Sequence, residues 1–218
     1  QEPFALLELF TSQGCSSCPA ADAVLGKYAM ENNPNIIALS FHVDYWNYIG
    51  WKDPYSNKKY TERQNQYANK LNASVYTPQL IVNGEHELVG SNEGKVVAIV
   101  KAELKLKSDA VITDDAILTA NKIHVKYNYE STFKTSVVNI ALVKKIETTN
   151  IKRGENKGRK LTNYNIVFDF VTQPVSEKKM GETDFIFENK IISDYMIVIY
   201  LQDPASGKIL GAFKNEIK

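Results

Sequence analysis

The chain has 218 residues, of which 44% are hydrophobic and 23% are charged, and its formal net charge is +1. This length exceeds the usual single-domain size of roughly 100–150 residues, so we expect two domains. The near-zero charge excludes the strongly basic surface that attracts nucleic acid, and we expect no such partner. No apolar run approaches the roughly 20 residues that span a bilayer, so we expect no membrane-spanning segment.

The start of the chain predicts export. The sequence lacks an initiator Met and begins at Gln1, three residues ahead of a hydrophobic run. Removal of a signal peptide leaves such a start, although a trimmed chain would look the same. We favour the first explanation and predict an exported protein.

The first half of the chain opens with alternating strand and helix patterns. Residues 4–10 form a short apolar run ended by polar residues 11–14, which predicts a buried strand and a turn. Residues 19–30 carry apolar side chains at helical spacing, and Asn32-Asn33-Pro34 stops this helix. Residues 35–43 predict a second buried strand, so the opening is a βαβ unit with parallel strands.

The same half continues with a second helix, a hairpin and a third helix. A polar helical pattern covers residues 61–71, and residues 75–82 read as a strand. Asn83-Gly84 is a hairpin turn that leads into a return strand at residues 86–89. A last helix is predicted through residue 107, which gives the order β-α-β-α-β-β-α.

Beyond Ser108 the sequence changes to alternating stretches without a helical period, which favours a β-sandwich. We therefore predict an α/β domain over residues 1–107 and an all-β, sandwich-like domain over residues 108–218. The predicted strands lie at residues 116–120, 123–129, 137–143, 166–171, 185–187 and 196–201, with a terminal hairpin through residues 209–210.

Cys15-Ser16-Ser17-Cys18 is the motif that points most directly to chemistry. It holds the two cysteines of the chain, between a predicted strand and a predicted helix. A helix N-terminus stabilises a thiolate on Cys15, and Cys18, one turn further on, is placed to resolve a mixed disulfide. The alternatives are half a zinc site and an inert local disulfide. The position between strand and helix favours redox chemistry.

Thr77-Pro78 stands at the entry of the third predicted strand. Proline cannot donate a ladder hydrogen bond, so here it is either an edge feature or a cis-proline beside a functional surface. Taken alone, a simple loop-to-strand proline is the commoner case. The position relative to Cys15 and Cys18 favours the functional alternative.

Together these motifs resemble the thioredoxin superfamily over about residues 4–107. Further segments are similar to a bacterial secreted thioredoxin-like family known as a domain of unknown function. The resemblance implies a thioredoxin-like fold, a cis Pro78 facing Cys15 and Cys18, and a location in the bacterial periplasm or cell envelope. The resemblance does not indicate a substrate. The segments that carry the narrower similarity are residues 8–22, 41–46, 50–54, 76–79 and 154–159.

Glu8 interrupts the first apolar strand seven residues before Cys15. Thioredoxins carry a buried acid on the equivalent strand that relays a proton to the resolving cysteine, with a spacing one residue shorter. If Glu8 lies under the helix, it is a candidate acid or base for Cys18; otherwise it is a solvated or paired surface acid. Both alternatives stay open.

His42 and Asp44 lie where the second strand ends, at the sheet edge expected to carry the Cys15 turn. A histidine bonded to a nearby carbonyl is the commoner fate. The alternative is a ligand role, in which Cys15, Cys18 and His42 hold copper, or zinc with an outside ligand.

A group of aromatic and hydroxyl side chains around the motif is a candidate surface for a protein or peptide substrate. The alternative is a satellite core under a long loop, which we expect for most of the aromatic residues. The candidate surface residues are Ser16, Ser17, Tyr45, Trp46, Trp51 and Tyr76. The basic segment 154–160 is a solvated hairpin loop by default, and a contact between the domains is its alternative.

The sequence as a whole predicts an exported thiol–disulfide oxidoreductase that acts on protein or peptide thiols and disulfides, without a cofactor. Cys15 attacks, Cys18 resolves, and Thr77 and Pro78 shape the substrate groove. One alternative is a copper- or zinc-binding module that uses Cys15, Cys18 and His42. The other is an interaction protein whose β-sandwich does the binding. The scarcity of His and Met counts against the metal alternative. The direction of electron flow and the oligomeric state stay open.

Overall fold

The computed structural model describes residues 2–31, 33–133, 135–188 and 190–218. Asn32, part of the predicted helix stop, and Gln1 lie outside them. No helix within these residues is long and apolar enough to cross a membrane. The helices are α1 (Cys18–Met30), α2 (Lys58–Leu71) and α3 (Glu93–Glu103), with short 3₁₀ helices at Asn47–Ile49 and Ile192–Asp194. The strands are β1 (Ala5–Thr11), β2 (Ile36–His42), β3 (Gln79–Val82), β4 (His86–Val89), β5 (Ala110–Thr119), β6 (Lys122–Ser131), β7 (Val137–Asn150), β8 (Lys160–Pro174), β9 (Met180–Ile186), β10 (Tyr195–Gln202) and β11 (Ile209–Glu216).

The described strands form one large mixed sheet and one small antiparallel sheet. The large sheet has the order β11-β10-β7-β8-β2-β1-β3-β4, and the small one has the order β5-β6-β9. β1 pairs parallel with β2 and antiparallel with β3, which itself pairs antiparallel with β4. The sequence prediction of a mixed α/β fold is confirmed.

Three apolar cores lie against the large sheet, because its strands are buried on both faces. One core packs α1 and α3 on the face of β1 that carries Leu7 and Leu9. A second packs α2 on the opposite face, with Leu6 and Phe10, and continues under β7, β8 and β10. The third fills the space between the small sheet and the strands β7, β10 and β11.

The layout differs from the prediction in one respect, since strands from both predicted segments share the large sheet. β8 joins β2 through the residue pair Ser40–Ile166. The Asn165 side chain supports this junction by donating to the Ala38 carbonyl at 2.9 Å, and the Ser40 hydroxyl donates to the Tyr164 carbonyl at 3.1 Å. The boundary near residue 107 stays a prediction. The consequence for the site is that the β7–β8 hairpin is held beside the first strands of the chain.

Candidate functional site

The two cysteines lie in the turn between β1 and α1. Cys15 and Cys18 form a disulfide, and their Cα atoms are 5.4 Å apart. The Cys18 backbone N–H donates to the Cys15 carbonyl at 3.3 Å, and Pro19 stands in the first turn of α1. Proline fits there because first-turn N–H groups have no partner within a helix. The disulfide fits a redox C-x-x-C motif.

Both cysteines are buried, whereas the two serines between them are exposed. Cys15 is 1% exposed and Cys18 is 0% exposed. The Ser17 hydroxyl lies 3.4 Å from Cys15 Sγ. Neighbouring segments therefore cover both sulfurs of the disulfide.

The Thr77-Pro78 segment faces the disulfide from the entry of β3. The Thr77 carbonyl oxygen lies 4.0 Å from Cys15 Sγ, and the Thr77–Pro78 peptide bond is cis. The Trp46 indole N–H donates to the Thr77 hydroxyl at 2.7 Å. The structure therefore brings Cys15, Thr77 and Pro78 together.

The loop of residues 151–159, between β7 and β8, covers the other side of the cysteine turn. The buried Asn156 side chain donates to the carbonyls of Gln13 and Cys15, both at 2.9 Å. The Glu155 carboxylate accepts the Ser16 backbone N–H at 3.1 Å. The segment 154–160 is therefore a contact between the two predicted segments rather than a freely solvated loop.

A buried polar cluster lies beneath the turn and consists of Thr11, Gln13, Asp22, His42 and Asp53. His42 Nδ1 lies 2.7 Å from Asp53 Oδ2, and both side chains are fully buried. Asp53 also accepts the Gln13 backbone N–H at 2.8 Å, and the Thr11 hydroxyl donates to Asp22 Oδ1 at 2.9 Å. Asp22 is one helical turn beyond Cys18 and so lies on the same face of α1.

The charges of this cluster differ from those of the same groups in water. Burial raises the pKa of Asp22 from 3.8 to about 7, although His42 and the Thr11 hydroxyl oppose the rise. Burial alone would lower the pKa of His42, but the Asp53 carboxylate outweighs it and raises that pKa. Despite burial, His42 and the Gln13 N–H hold the pKa of Asp53 below its usual value. Asp22 can therefore exchange a proton near neutral pH, and the pKa shifts of His42 and Asp53 both favour the charged forms of that pair.

Glu8 does not lie under α1, so its predicted role with Cys18 is not supported. Residues alternate across a strand, and Glu8 shares the α2 face of β1 with Leu6 and Phe10. Arg63 of α2 donates to both carboxylate oxygens, at 2.8 and 3.1 Å. The alternative of a paired acid is the observed one, but the pair is buried and not at the surface.

Most of the aromatic residues around the cysteine turn pack against the interior and do not form an exposed surface for a substrate. Tyr45 and Trp46 pack against the α2-side core. The Trp51 indole N–H donates to Gln13 Oε1 at 3.2 Å. The Tyr76 hydroxyl, on the other side of the cysteine turn, hydrogen-bonds Glu87. Tyr48, at 83% exposure, is the aromatic residue of this region that stands clear of the core.

The described residues do not assemble the metal site of the runner-up prediction. No three His, Cys, Asp or Glu side chains among them are grouped to hold a metal ion. Both sulfurs of the proposed ligand set are joined in the disulfide, and Nδ1 of His42 is engaged by Asp53. This arrangement does not fit copper or zinc.

Several residues of the site escaped sequence reasoning. Asp22 was detectable, because it falls on the buried face of α1 beside Ala21 and Leu25. Acidic side chains are rarely buried without a partner, so an acid at this position indicates a specific role. Asp53 and Asn156 were not, because they reach the cysteine turn at Gln13, which lies 40 and 143 residues away from them in the sequence.

The comparisons with known proteins identify a family and structural relatives whose descriptions name no activity. A family model described as "Protein of unknown function (DUF1223)" matches residues 6–202. No curated protein matches the chain. The chain is similar to the crystal structure of a protein from Agrobacterium tumefaciens, with 28% identity and a TM-score of 0.76, over 100% of this chain and 98% of that one. It shares the fold of HBP35 of Porphyromonas gingivalis, with 12% identity and a TM-score of 0.71, over 99% of this chain and 76% of that one.

Proposed function

Because the chain belongs to the DUF1223 family, whose description names no function, we propose from the site itself that it is a thioredoxin-like thiol–disulfide oxidoreductase. The observation that carries the proposal is the Cys15–Cys18 disulfide at the start of α1. Its expected partners are protein or peptide thiols and disulfides.

The topology around the disulfide supports a thioredoxin-like assignment. A right-handed βαβ unit is the default crossover for parallel strands such as β1 and β2, and its turn carries the motif. β3 and β4 then add to the sheet in antiparallel order, and the segment entering β3 carries Thr77 against Cys15. The carboxyl ends of β1 and β2 are where open α/β sheets hold their reacting groups.

The exchange proceeds in two steps in the direction that reduces a substrate. The Cys15 thiolate attacks one sulfur of the substrate disulfide, and the other substrate sulfur leaves as a thiolate that takes a proton from water. Cys18 then attacks the Cys15 sulfur of the mixed disulfide and releases the second substrate thiolate. The protein dithiol loses two electrons and the substrate disulfide gains them. The same steps in reverse oxidise a dithiol substrate.

Asp22 is the group placed to handle the Cys18 proton. Cys18 must lose its proton before it attacks, and Asp22 lies one turn further along the same helix face. With its pKa raised to about 7, the carboxyl can accept or return a proton at neutral pH. The neighbouring His42 and Asp53 also act on the pKa of Asp22, which His42 lowers and Asp53 raises.

The chemistry also bears on location. Disulfides persist in oxidising compartments and are rare in the reducing cytosol. We therefore propose that the protein is exported and works in the bacterial periplasm or cell envelope.

The test is a measurement of exchange by the purified protein together with trapping of partners. We expect the wild-type disulfide to equilibrate with glutathione and Cys18→Ser to accumulate mixed disulfides through Cys15. Cys15→Ser is the matched control, because it keeps one cysteine and loses the attacking one. A wild-type protein that neither oxidises nor reduces a model substrate, together with a Cys18→Ser variant that traps nothing, would overturn the proposal.

A further inference from the structure

The Glu155 carboxylate stands at the start of α1, next to the cysteine proposed to attack. Its Oε2 atom accepts the backbone N–H of Ser16, the residue that follows Cys15, at 3.1 Å. Backbone N–H groups at a helix start normally stabilise a thiolate there. Here a carboxylate from a distant part of the chain occupies one of them.

The position of Glu155 is fixed by its neighbours in the loop 151–159. The next residue, Asn156, is fully buried and is tied to the turn by its bonds to the Gln13 and Cys15 carbonyls. Its own carbonyl oxygen Oδ1 accepts from Arg159 Nη1 at 2.8 Å. Gly154, on the other side, has a φ of +76° that favours glycine, and a Cβ there would lie 3.3 Å from Trp51. The backbone that follows Glu155 is therefore anchored to the cysteine turn, and the residue before it has little room for a side chain.

We propose that Glu155 is a positioning residue whose charge favours the oxidised form of the Cys15–Cys18 pair. In the disulfide both sulfurs are neutral, so the charge of Glu155 does not destabilise the oxidised form. Reduction by two glutathione molecules adds two electrons and two protons and yields one oxidised glutathione. When Cys15 then releases its proton, a thiolate forms next to the Glu155 carboxylate. Like charges repel, so the thiolate is disfavoured, and with it the reduced form at pH values where that thiolate is populated. This inference rests on the proposed function.

Other charges around Cys15 do not reproduce this effect. The buried Asp22 accepts the Thr11 hydroxyl rather than an N–H group of the turn, and the charges of the paired His42 and Asp53 offset each other. The basic side chains of the loop are exposed, and Arg159 is directed to Asn156. The charged residues of the loop 151–159 are Lys152, Arg153, Glu155, Lys157 and Arg159, and all of them are exposed.

The experiment compares the full chain with Glu155→Gln, which keeps the shape and an oxygen acceptor for Ser16 but removes the charge. For an exposed carboxylate bonded to the residue next to Cys15, we expect the equilibrium constant for reduction by glutathione to rise about threefold to fivefold, or about 15–20 mV. The pKa of the reduced Cys15 thiol, followed by thiolate absorbance, should fall in parallel. Both changes should shrink at high salt, where the Debye length is short.

Lys157→Gln is the matched control, because it removes a charge from the same loop without touching Ser16. We expect it to shift the equilibrium less and in the opposite direction. An equilibrium constant and a thiol pKa for Glu155→Gln equal to those of the wild type would overturn the inference while leaving the proposed function intact. If the wild type fails to exchange with glutathione, the proposed function falls. The thiol pKa after chemical reduction then still decides the role of Glu155.

Discussion

Two carboxyl groups, Glu8 and Asp22, are buried on opposite faces of β1 and are stabilised in different ways. Glu8 is met by Arg63 through both oxygens and by the hydroxyl groups of Tyr67 and Tyr200. Asp22 accepts a hydrogen bond from the Thr11 hydroxyl, and the nearest cation, His42, is already paired with Asp53. Glu8 thus has its own counterion and Asp22 does not.

The difference shows which buried acid can take part in proton exchange. A buried ion pair with its hydrogen bonds satisfied holds its charges fixed, and removing either partner is costly. A buried carboxyl without its own cation keeps its proton up to a higher pH, as the raised pKa of Asp22 indicates. His42 Nε2 also lacks a hydrogen-bond partner among the described residues. The polar groups around Asp22 are therefore less completely hydrogen-bonded than those around Glu8. The Glu8 side is therefore a structural element, and the Asp22 side is the chemically adaptable one.

Arg63→Met should give the largest loss of stability. The substitution keeps an apolar stem on α2 but leaves the Glu8 carboxylate buried without a cation. We expect the free energy of unfolding to fall by about 3–5 kcal/mol, measured by urea denaturation of the oxidised protein. Lys59→Met on the same helix is the control, since its ion pair with Asp169 is partly exposed and should cost less than about 1 kcal/mol. Equal losses for the two variants would contradict a structural role for Glu8.

Asp22→Asn should change the pH dependence of stability. In the unfolded chain Asp22 releases its proton near pH 3.8, and in the folded protein near pH 7. The folded state therefore holds more protons in between, so this group lowers the free energy of unfolding as the pH rises through that window. The change amounts to roughly 2–4 kcal/mol.

The measurement for this variant is the difference in unfolding free energy from the wild type between pH 4 and pH 8. The variant should gain relative to the wild type as the pH rises, and the difference should level off above about pH 7. Asp194→Asn is the control, because it removes a carboxyl group from the surface instead of from the interior. A flat difference for Asp22→Asn would show that Asp22 does not keep its proton in the folded protein.

The sequence predicted the local parts of this picture and missed the long-range ones. The strand–turn–helix that carries Cys15 and Cys18 follows from short-range patterns, as does the β3–β4 hairpin. The side of β1 on which Glu8 lies could not be predicted, because the whole strand is buried and gives no polar face to orient it. Its partner Arg63 is 55 residues away. The junction of β8 with β2 likewise depends on packing between distant segments.

Thr11→Val removes the hydroxyl group that donates to Asp22, and Tyr200→Phe removes one that donates to Glu8. Both substitutions keep the side-chain volume nearly constant. Tyr200 donates to Glu8 Oε1 at 2.8 Å, and Thr11 donates to Asp22 Oδ1 at 2.9 Å. Loss of a bond to a carboxylate that is ion-paired with Arg63 should cost about 1.5–3 kcal/mol for Tyr200→Phe.

Thr11→Val should give the smallest effect, and one that depends on pH. At pH 5 Asp22 is protonated and the lost bond is between neutral groups, at a cost of about 1 kcal/mol. The Thr11 bond lowers the pKa of Asp22, so its removal raises that pKa further and the cost grows as the pH approaches 8. Urea denaturation of both variants at pH 5 and pH 8 checks this contrast. If the cost of Thr11→Val is the same at pH 5 and pH 8, Asp22 is not the titrating acid described here.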